Sequence, residues 1–186
     1  MTKPIVIISG SPNATSRLNG MIDYVRHELE NRGYPTKTIT VVTLPADDLI
    51  QARFGSPAIV DANRLVDEAS AVIIASPVYK ASFTGVLKTY LDLLPQKGME
   101  NKLVLPLFIG GTLAHLLSIE YALKPVLASM GARHFIRGVY ATDNQINRIQ
   151  ESSNETKFEL NDEVTERLQA SVQELIDELQ LRSAAP

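Results

Sequence analysis

A chain of 186 residues with no cysteine, no tryptophan, 45% hydrophobic and 21% charged residues has the composition of an ordinary globular domain, long enough to bury a core without disulfide or metal staples. The missing cysteines exclude thiolate zinc sites, iron–sulfur clusters, CxxC redox pairs and cysteine nucleophiles, and the dispersed histidines His27, His115 and His134 offer no local metal-ligand pair. A formal charge of −3, spread without blocks, leaves no nucleic-acid footprint, and the first apolar run, Ile5–Ile8, is too short for a secretory core or a membrane span. The expectation is therefore a single domain over 1–186, cytoplasmic, with no metal, nucleic acid or membrane partner.

Short apolar runs alternate with stretches of helical period, the pattern of repeated strand–helix units. Pro4–Ser9 is almost continuously apolar, as a parallel strand covered on both faces should be. A helix is expected over about Arg17–Arg32, where Leu18, Ile22, Val25 and Leu29 share one face and Gly33 stands at the C-cap. Thr36–Val42 reads as the second strand. After an irregular or briefly helical stretch from Leu44 to Gly55, Ser56-Pro57 looks like an N-cap and first-turn proline opening a helix to about Ala69.

Ala71–Ser76 is the third strand and Thr84–Leu94 the next helix, stopped by Pro95. Leu103–Ile109 is the fourth strand despite Pro106, a residue that favours edges and bulges. A helix from about Leu113 to Met130 ends at Gly131, His134–Ala141 is the fifth strand, residues 142–160 form a polar connection, and Asn161–Leu181 is a final amphipathic helix. Five such units predict an α/β, flavodoxin-like doubly wound parallel sheet of order 2-1-3-4-5, with a ligand at the carboxyl ends of strands one and three.

The loop after strand one, Gly10 to Arg17, is rich in hydroxyls, leads into a helix N-terminus and ends in a cation, which suits a phosphate. It fits neither GxGxxG nor a Walker loop. Ser11, Thr15 and Ser16 would equally suit a turn that caps the helix; the position after the first strand favours phosphate. After strand three, Pro77, Val78, Tyr79 and Lys80 place an aromatic, a cation and exposed backbone where a planar ring could rest, although Tyr79 alone would equally suit packing on the next helix. After strand four, Gly110 and Gly111 permit close backbone approach and Thr112 can cap the next helix. His115, with no carboxylate at a neighbouring position, is expected near the ligand without acid–base duty. Pro125 removes a backbone donor opposite the Tyr121 carbonyl, which calls for either a proline kink or a π-bulge near Tyr121.

Residues 8–17 (ISGSPNATSR), 76–96 and 110–132 together make the chain resemble the NADPH-dependent FMN reductase family, most closely the branch that feeds alkanesulfonate monooxygenase in bacterial sulfur metabolism. The resemblance implies the flavodoxin-like fold, FMN as ligand, NADPH as hydride donor, an FMNH2-dependent monooxygenase as partner, and a homo-oligomer, a dimer or homotetramer. It further implies that Ser11, Ser16 and Arg17 hold the FMN phosphate. Pro77, Val78, Tyr79 and Lys80 then run along the isoalloxazine edge, Gly110, Gly111 and Thr112 form the third ligand loop, and Tyr121 belongs to a bulged interface helix of flavin-donating members.

No dedicated catalytic acid is expected, because hydride passes between the cofactors themselves. The competing readings are an FMN-bound quinone, azo-dye or metal reductase on the same loops, and a flavodoxin-like electron carrier, which would normally be far more acidic than −3. A phospho-acceptor domain would want an aspartate where Ser76-Pro77 stands.

Overall fold

The computed structural model of the protein describes residues 3–150 and 156–184. β1 (Ile5–Ser9), β2 (Thr36–Thr40), β3 (Ala71–Tyr79) and β5 (Leu103–Gly110) form a parallel sheet, completed by β6 (His134–Phe135) and β7 (Val139–Thr142), which both pair with β5. Counted as parallel strands the order is 2-1-3-4-5, with β6 and β7 as the two halves of the fifth. The short β4 (Ser82–Phe83) runs antiparallel to the end of β3.

The alternation of side chains along the strands builds a core on each face of the sheet. Ile5 and Ile7 of β1, with Ile73, Leu105 and Leu107, pack under α1 (Leu18–Asn31) and α6 (Asp162–Ala184). Val6 and Ile8, with Val72, Ile74 and Phe108, face the other way, toward α3 (Pro57–Glu68), α4 (Gly85–Leu91) and α5 (Lys124–Ser129). In α1, Leu18, Ile22, Val25 and Leu29 are all buried, as their spacing requires. A short helix α2 (Ala46–Ile50) lies in the stretch expected to be irregular or briefly helical.

Pro106 sits in the middle of β5, paired beside Ile74 of β3. The Leu103 amide points to the Ser70 carbonyl on the β3 side, so alternate residues, Val104 and Pro106 among them, direct their backbone groups to the other side. There the Val104 carbonyl accepts from the Ile136 amide at 2.9 Å. The donor that Pro106 lacks falls at residues 136–138, where the fifth strand breaks between β6 and β7. A methyl group at Gly138 would come within 3.3 Å of the Pro106 Cβ. Proline is thus accommodated in a central strand because its neighbour is interrupted, and the single strand expected over His134–Ala141 is two pieces for the same reason.

Four further expectations are corrected. The third strand does not stop at Ser76 but continues to Tyr79 and folds back through Lys80 and Ala81 into β4, so Pro77–Phe83 is a strand end and hairpin instead of a loop. The helix expected over Thr84–Leu94 is confined to Gly85–Leu91. The helix expected over Leu113–Met130 is three pieces: a 3-10 turn at Leu113–His115, a π-helical turn at Ile119–Leu123, and α5. The polar connection 142–160 contains an antiparallel hairpin, β8 (Ile146–Gln150) and β9 (Thr156–Leu160), which seats Phe158 against Gly20 of α1. Residues 151–155 of that connection lie outside the described residues.

Candidate functional site

β1, β3 and β5 are consecutive neighbours in the sheet, so the segments that follow them emerge side by side along one edge. Gly10 leaves β1 beneath α4, where a Cβ would stand 2.4 Å from the Leu87 Cβ, so only glycine lets the chain pass. The Thr84 hydroxyl donates to the Gly10 carbonyl at 2.6 Å and accepts from the Leu87 amide at 3.0 Å, capping α4 while tying it to the first loop. Buried Ser76 accepts from the Thr84 amide at 3.1 Å and donates to the Pro77 carbonyl at 2.9 Å. Thr84 and Ser76 therefore lock the first two segments together.

The 11–17 loop is internally bonded. Buried Ser11 donates to the Asn13 carbonyl at 3.0 Å, and the Asn13 side-chain oxygen accepts from both the Thr15 amide and the Thr15 hydroxyl. Ser16 accepts from the Leu18 amide at 3.3 Å at the start of α1. The turn-and-cap arrangement is present, and Arg17 stands at the helix N-cap with Nε donating to the Ile146 carbonyl at 2.9 Å. Its two Nη groups carry no hydrogen bond among the described residues, which leaves a positively charged edge beside a helix N-terminus.

Pro77 and Val78 belong to the end of β3, and Tyr79, 53% exposed, begins the turn. Lys80 and Ala81 both adopt positive φ, 51° and 63°, the pair of left-handed residues that a two-residue type I′ hairpin turn needs. Neither is glycine, so each costs on the order of 1 kcal/mol, strain of the kind that clusters at ligand clamps.

At the third segment, a Cβ on Gly110 would lie 2.2 Å from the Tyr140 hydroxyl, which donates to the Thr112 carbonyl at 2.7 Å. Burial, then the nearby Asp143 carboxylate, pushes the Tyr140 phenol above its ordinary range, so it remains a donor at neutral pH. Gly111 is open: the nearest atom to its would-be Cβ is an Asp143 oxygen at 3.9 Å. The Thr112 hydroxyl accepts from the Ala114 amide at 3.3 Å and starts the 3-10 turn that carries exposed His115.

His115, Ser118 and Tyr121 line one cavity of about 250 Å³ together with Ala81 at the tip of the β3–β4 hairpin. Ser11 lines a different one, of about 270 Å³, with Asn13, Asn19 and Thr40. The expected residues thus share one sheet edge but are not gathered into a single closed pocket. In the π-helical turn the Lys124 amide bonds the Ile119 carbonyl five residues back, one residue before the proline that cannot donate. Tyr121 is 79% exposed and is flanked by exposed Leu113, Leu116 and Leu117.

Sequence reasoning missed Thr84, Ser76, Tyr140 and Arg148. Thr84 before Gly85 has the signature of an N-cap, but its bond to Gly10 spans 74 positions. Arg148 donates to the Thr15 carbonyl across 133 positions, and nothing local signals it.

The site has the parts that a phosphorylated planar ligand requires: an unpaired guanidinium edge at a helix N-terminus, and glycine-bordered backbone at the neighbouring strand ends. The sequence of the NADPH-dependent FMN reductase family matches residues 4–147. A Pseudomonas putida protein named FMN reductase (NADPH) is 44% identical over 142 residues, covering 76% of this chain and 72% of that protein. An Escherichia coli protein of the same name is 41% identical over 142 residues, covering 76% and 74%. A solved structure of an NADH:FMN oxidoreductase in its apo form has a TM-score of 0.82 at 33% identity, covering 100% of this chain and 92% of that one. The chain belongs to the NADPH-dependent FMN reductase family.

Proposed function

We propose that this NAD(P)H:FMN oxidoreductase is the flavin-supplying half of a two-component system, in which reduced FMN leaves for a separate, cytoplasmic monooxygenase acting on an alkanesulfonate. FMN accepts hydride from NADPH, and the chemistry of that transfer resides in the two nucleotides. The chain's own part is to bind and orient. Ser11, Ser16 and the free Nη edge of Arg17 hold the phosphate. Pro77, Val78, Tyr79 and Lys80 border the ring, the backbone at Gly110, Gly111 and Thr112 closes its far side, and His115 stands near it. No residue need exchange a proton with a reacting atom.

The observation that carries the two-component reading is the π-helical turn at Ile119–Leu123, which presents Tyr121 outward on the wall of the cavity behind the ring loops. Exposed Leu113, Leu116, Leu117 and Tyr121 form an apolar surface that suits a second copy of the chain, consistent with a dimer or tetramer. A fixed-flavin quinone reductase would have the same ring loops and hold FMN through the cycle.

The test is NADPH consumption by freshly purified protein, with FMN titrated from none upward and a quinone in a parallel series. Turnover that requires added FMN and saturates with it supports flavin as a substrate. A yellow preparation that reduces quinone without added FMN would make it a prosthetic group and overturn the two-component reading.

A further inference from the structure

The β8–β9 hairpin is stapled to the 11–17 loop by two hydrogen bonds that run in opposite directions. Arg17 of the loop donates through Nε to the Ile146 carbonyl at 2.9 Å, and Arg148 of the hairpin donates through Nη2 to the Thr15 carbonyl at 2.5 Å. The hairpin is firmly seated. Ile146 is 1% exposed in the core beneath α1 and α6, and a Cβ at Gly20 of α1 would lie 2.6 Å from the Phe158 Cβ. The backbone that carries Arg148 is therefore fixed relative to the helix N-terminus that opens at Arg17.

Two guanidinium groups stand at the junction of the loop and the hairpin, and neither forms an ion pair among the described residues. Some of the loop's own donors are committed, while the Ser11, Ala14 and Arg17 amides, the Ser16 hydroxyl and the Asn13 side-chain amide donate to nothing among the described residues. The Ser11 hydroxyl and the Ser16 amide go to the Asn13 carbonyl, and the Thr15 amide and hydroxyl to the Asn13 side chain. The charged donors left over are both Nη of Arg17, and Nε and Nη1 of Arg148. A phosphate monoester carries about −1.5 to −2 charges near neutral pH. One arginine leaves much of that unmatched, and two balance it.

We propose that Arg148 is a second phosphate-binding cation, delivered to the loop by the β8–β9 hairpin, and that together with Arg17 it selects the dianionic form of the flavin phosphate. This rests on the reading of the 11–17 loop as the phosphate end of the site. Arg148 lies one residue past the residues matched by the family, 4–147.

The experiment compares the equilibrium affinities of FMN and riboflavin for wild type, Arg148→Gln and Arg17→Ala. Arg148→Gln removes the charge and shortens the side chain by two bonds, and the riboflavin affinity reports any disturbance of the loop from losing the bond to the Thr15 carbonyl. FMN affinity is expected to fall about tenfold in Arg148→Gln, with riboflavin affinity unchanged. The wild-type preference for FMN over riboflavin should shrink as pH drops from about 7.5 to about 5.5, through the second phosphate ionisation near 6. In Arg148→Gln that response should be weaker. Unchanged FMN affinity in Arg148→Gln, equal losses for both flavins, or an undiminished pH response would each overturn the role of Arg148. If Arg17→Ala also spares FMN, the phosphate reading of the loop falls with it; if Arg17→Ala alone loses FMN, that reading stands without Arg148.

Discussion

The two ends of the site are built on opposite principles. The 10–17 end is cross-linked by directional bonds: Gly10 to Thr84, Ser11 and Thr15 to Asn13, Arg17 to Ile146, Thr15 to Arg148. At the 113–123 end, leucines and a tyrosine face outward from a 3-10 turn and a π-helical turn, and the Ser118 hydroxyl is buried with no partner among the described residues. An end held by directional bonds sets orientation and affinity, whereas an end with exposed apolar side chains and irregular helix can change its contacts at low cost.

Substitutions that attack the bonded end should have the largest effects. Gly10→Ala places a methyl group 2.4 Å from the Leu87 Cβ and 3.2 Å from its Cα, so either β1 or α4 must move. A loss of about 1–3 kcal/mol in a denaturant titration is expected, together with loss of FMN binding. Thr84→Val removes the α4 cap and leaves the buried Gly10 carbonyl without its donor, a loss of about 2 kcal/mol. If Thr84→Val were neutral, the lock between the first two segments would not be what holds this end.

At the open end, Tyr121→Ala should change stability by no more than about 0.5 kcal/mol, because its side chain is exposed. Steady-state turnover with added FMN should nevertheless fall, and the apparent mass by sedimentation should shift if Tyr121 lies between copies. Unaltered turnover and mass would remove Tyr121 from both roles and erase the contrast between the ends.

A smaller effect is expected in the core, away from both ends. The Tyr90 hydroxyl is buried without a partner among the described residues, and burial pushes its ionisation far above the usual 10. Below pH 10 folded and unfolded chains both keep the proton, so the group contributes no pH dependence. Above it the unfolded chain ionises first and stability falls as pH rises. Tyr90→Phe should be neutral or stabilising by up to about 1 kcal/mol near neutral pH, and should flatten the alkaline decline in denaturant midpoints.

Much of this architecture can be read from the chain because the parallel strands are buried on both faces and so carry unbroken apolar runs, Ile5–Ile8 and Ala71–Ala75 above all. The disturbance near Tyr121 was legible from Pro125, since a missing donor has a local consequence, although choosing the π-turn over a kink required the structure. The β8–β9 hairpin was not legible: in Thr156–Leu160 the alternation is only half-buried and rests on threonine and phenylalanine among charged residues. The break in the fifth strand was hidden because its cause, Pro106, lies in the neighbouring strand. The end of β3 was misplaced because Lys80 and Ala81 carry no glycine or asparagine to announce a type I′ turn. Among site residues, those on the loops after the strands could be named from topology, whereas Thr84 and Arg148 act through contacts between distant parts of the sequence.

The most direct test of the bonded end is a side-by-side measurement of FMN and riboflavin affinity for the wild-type protein. Two charge-assisted phosphate contacts predict FMN tighter by at least about a hundredfold near neutral pH, with the margin shrinking in high salt. Equal affinities would mean that the 11–17 loop does not hold a phosphate, and the division of the site into a bonded end and an open end would fail.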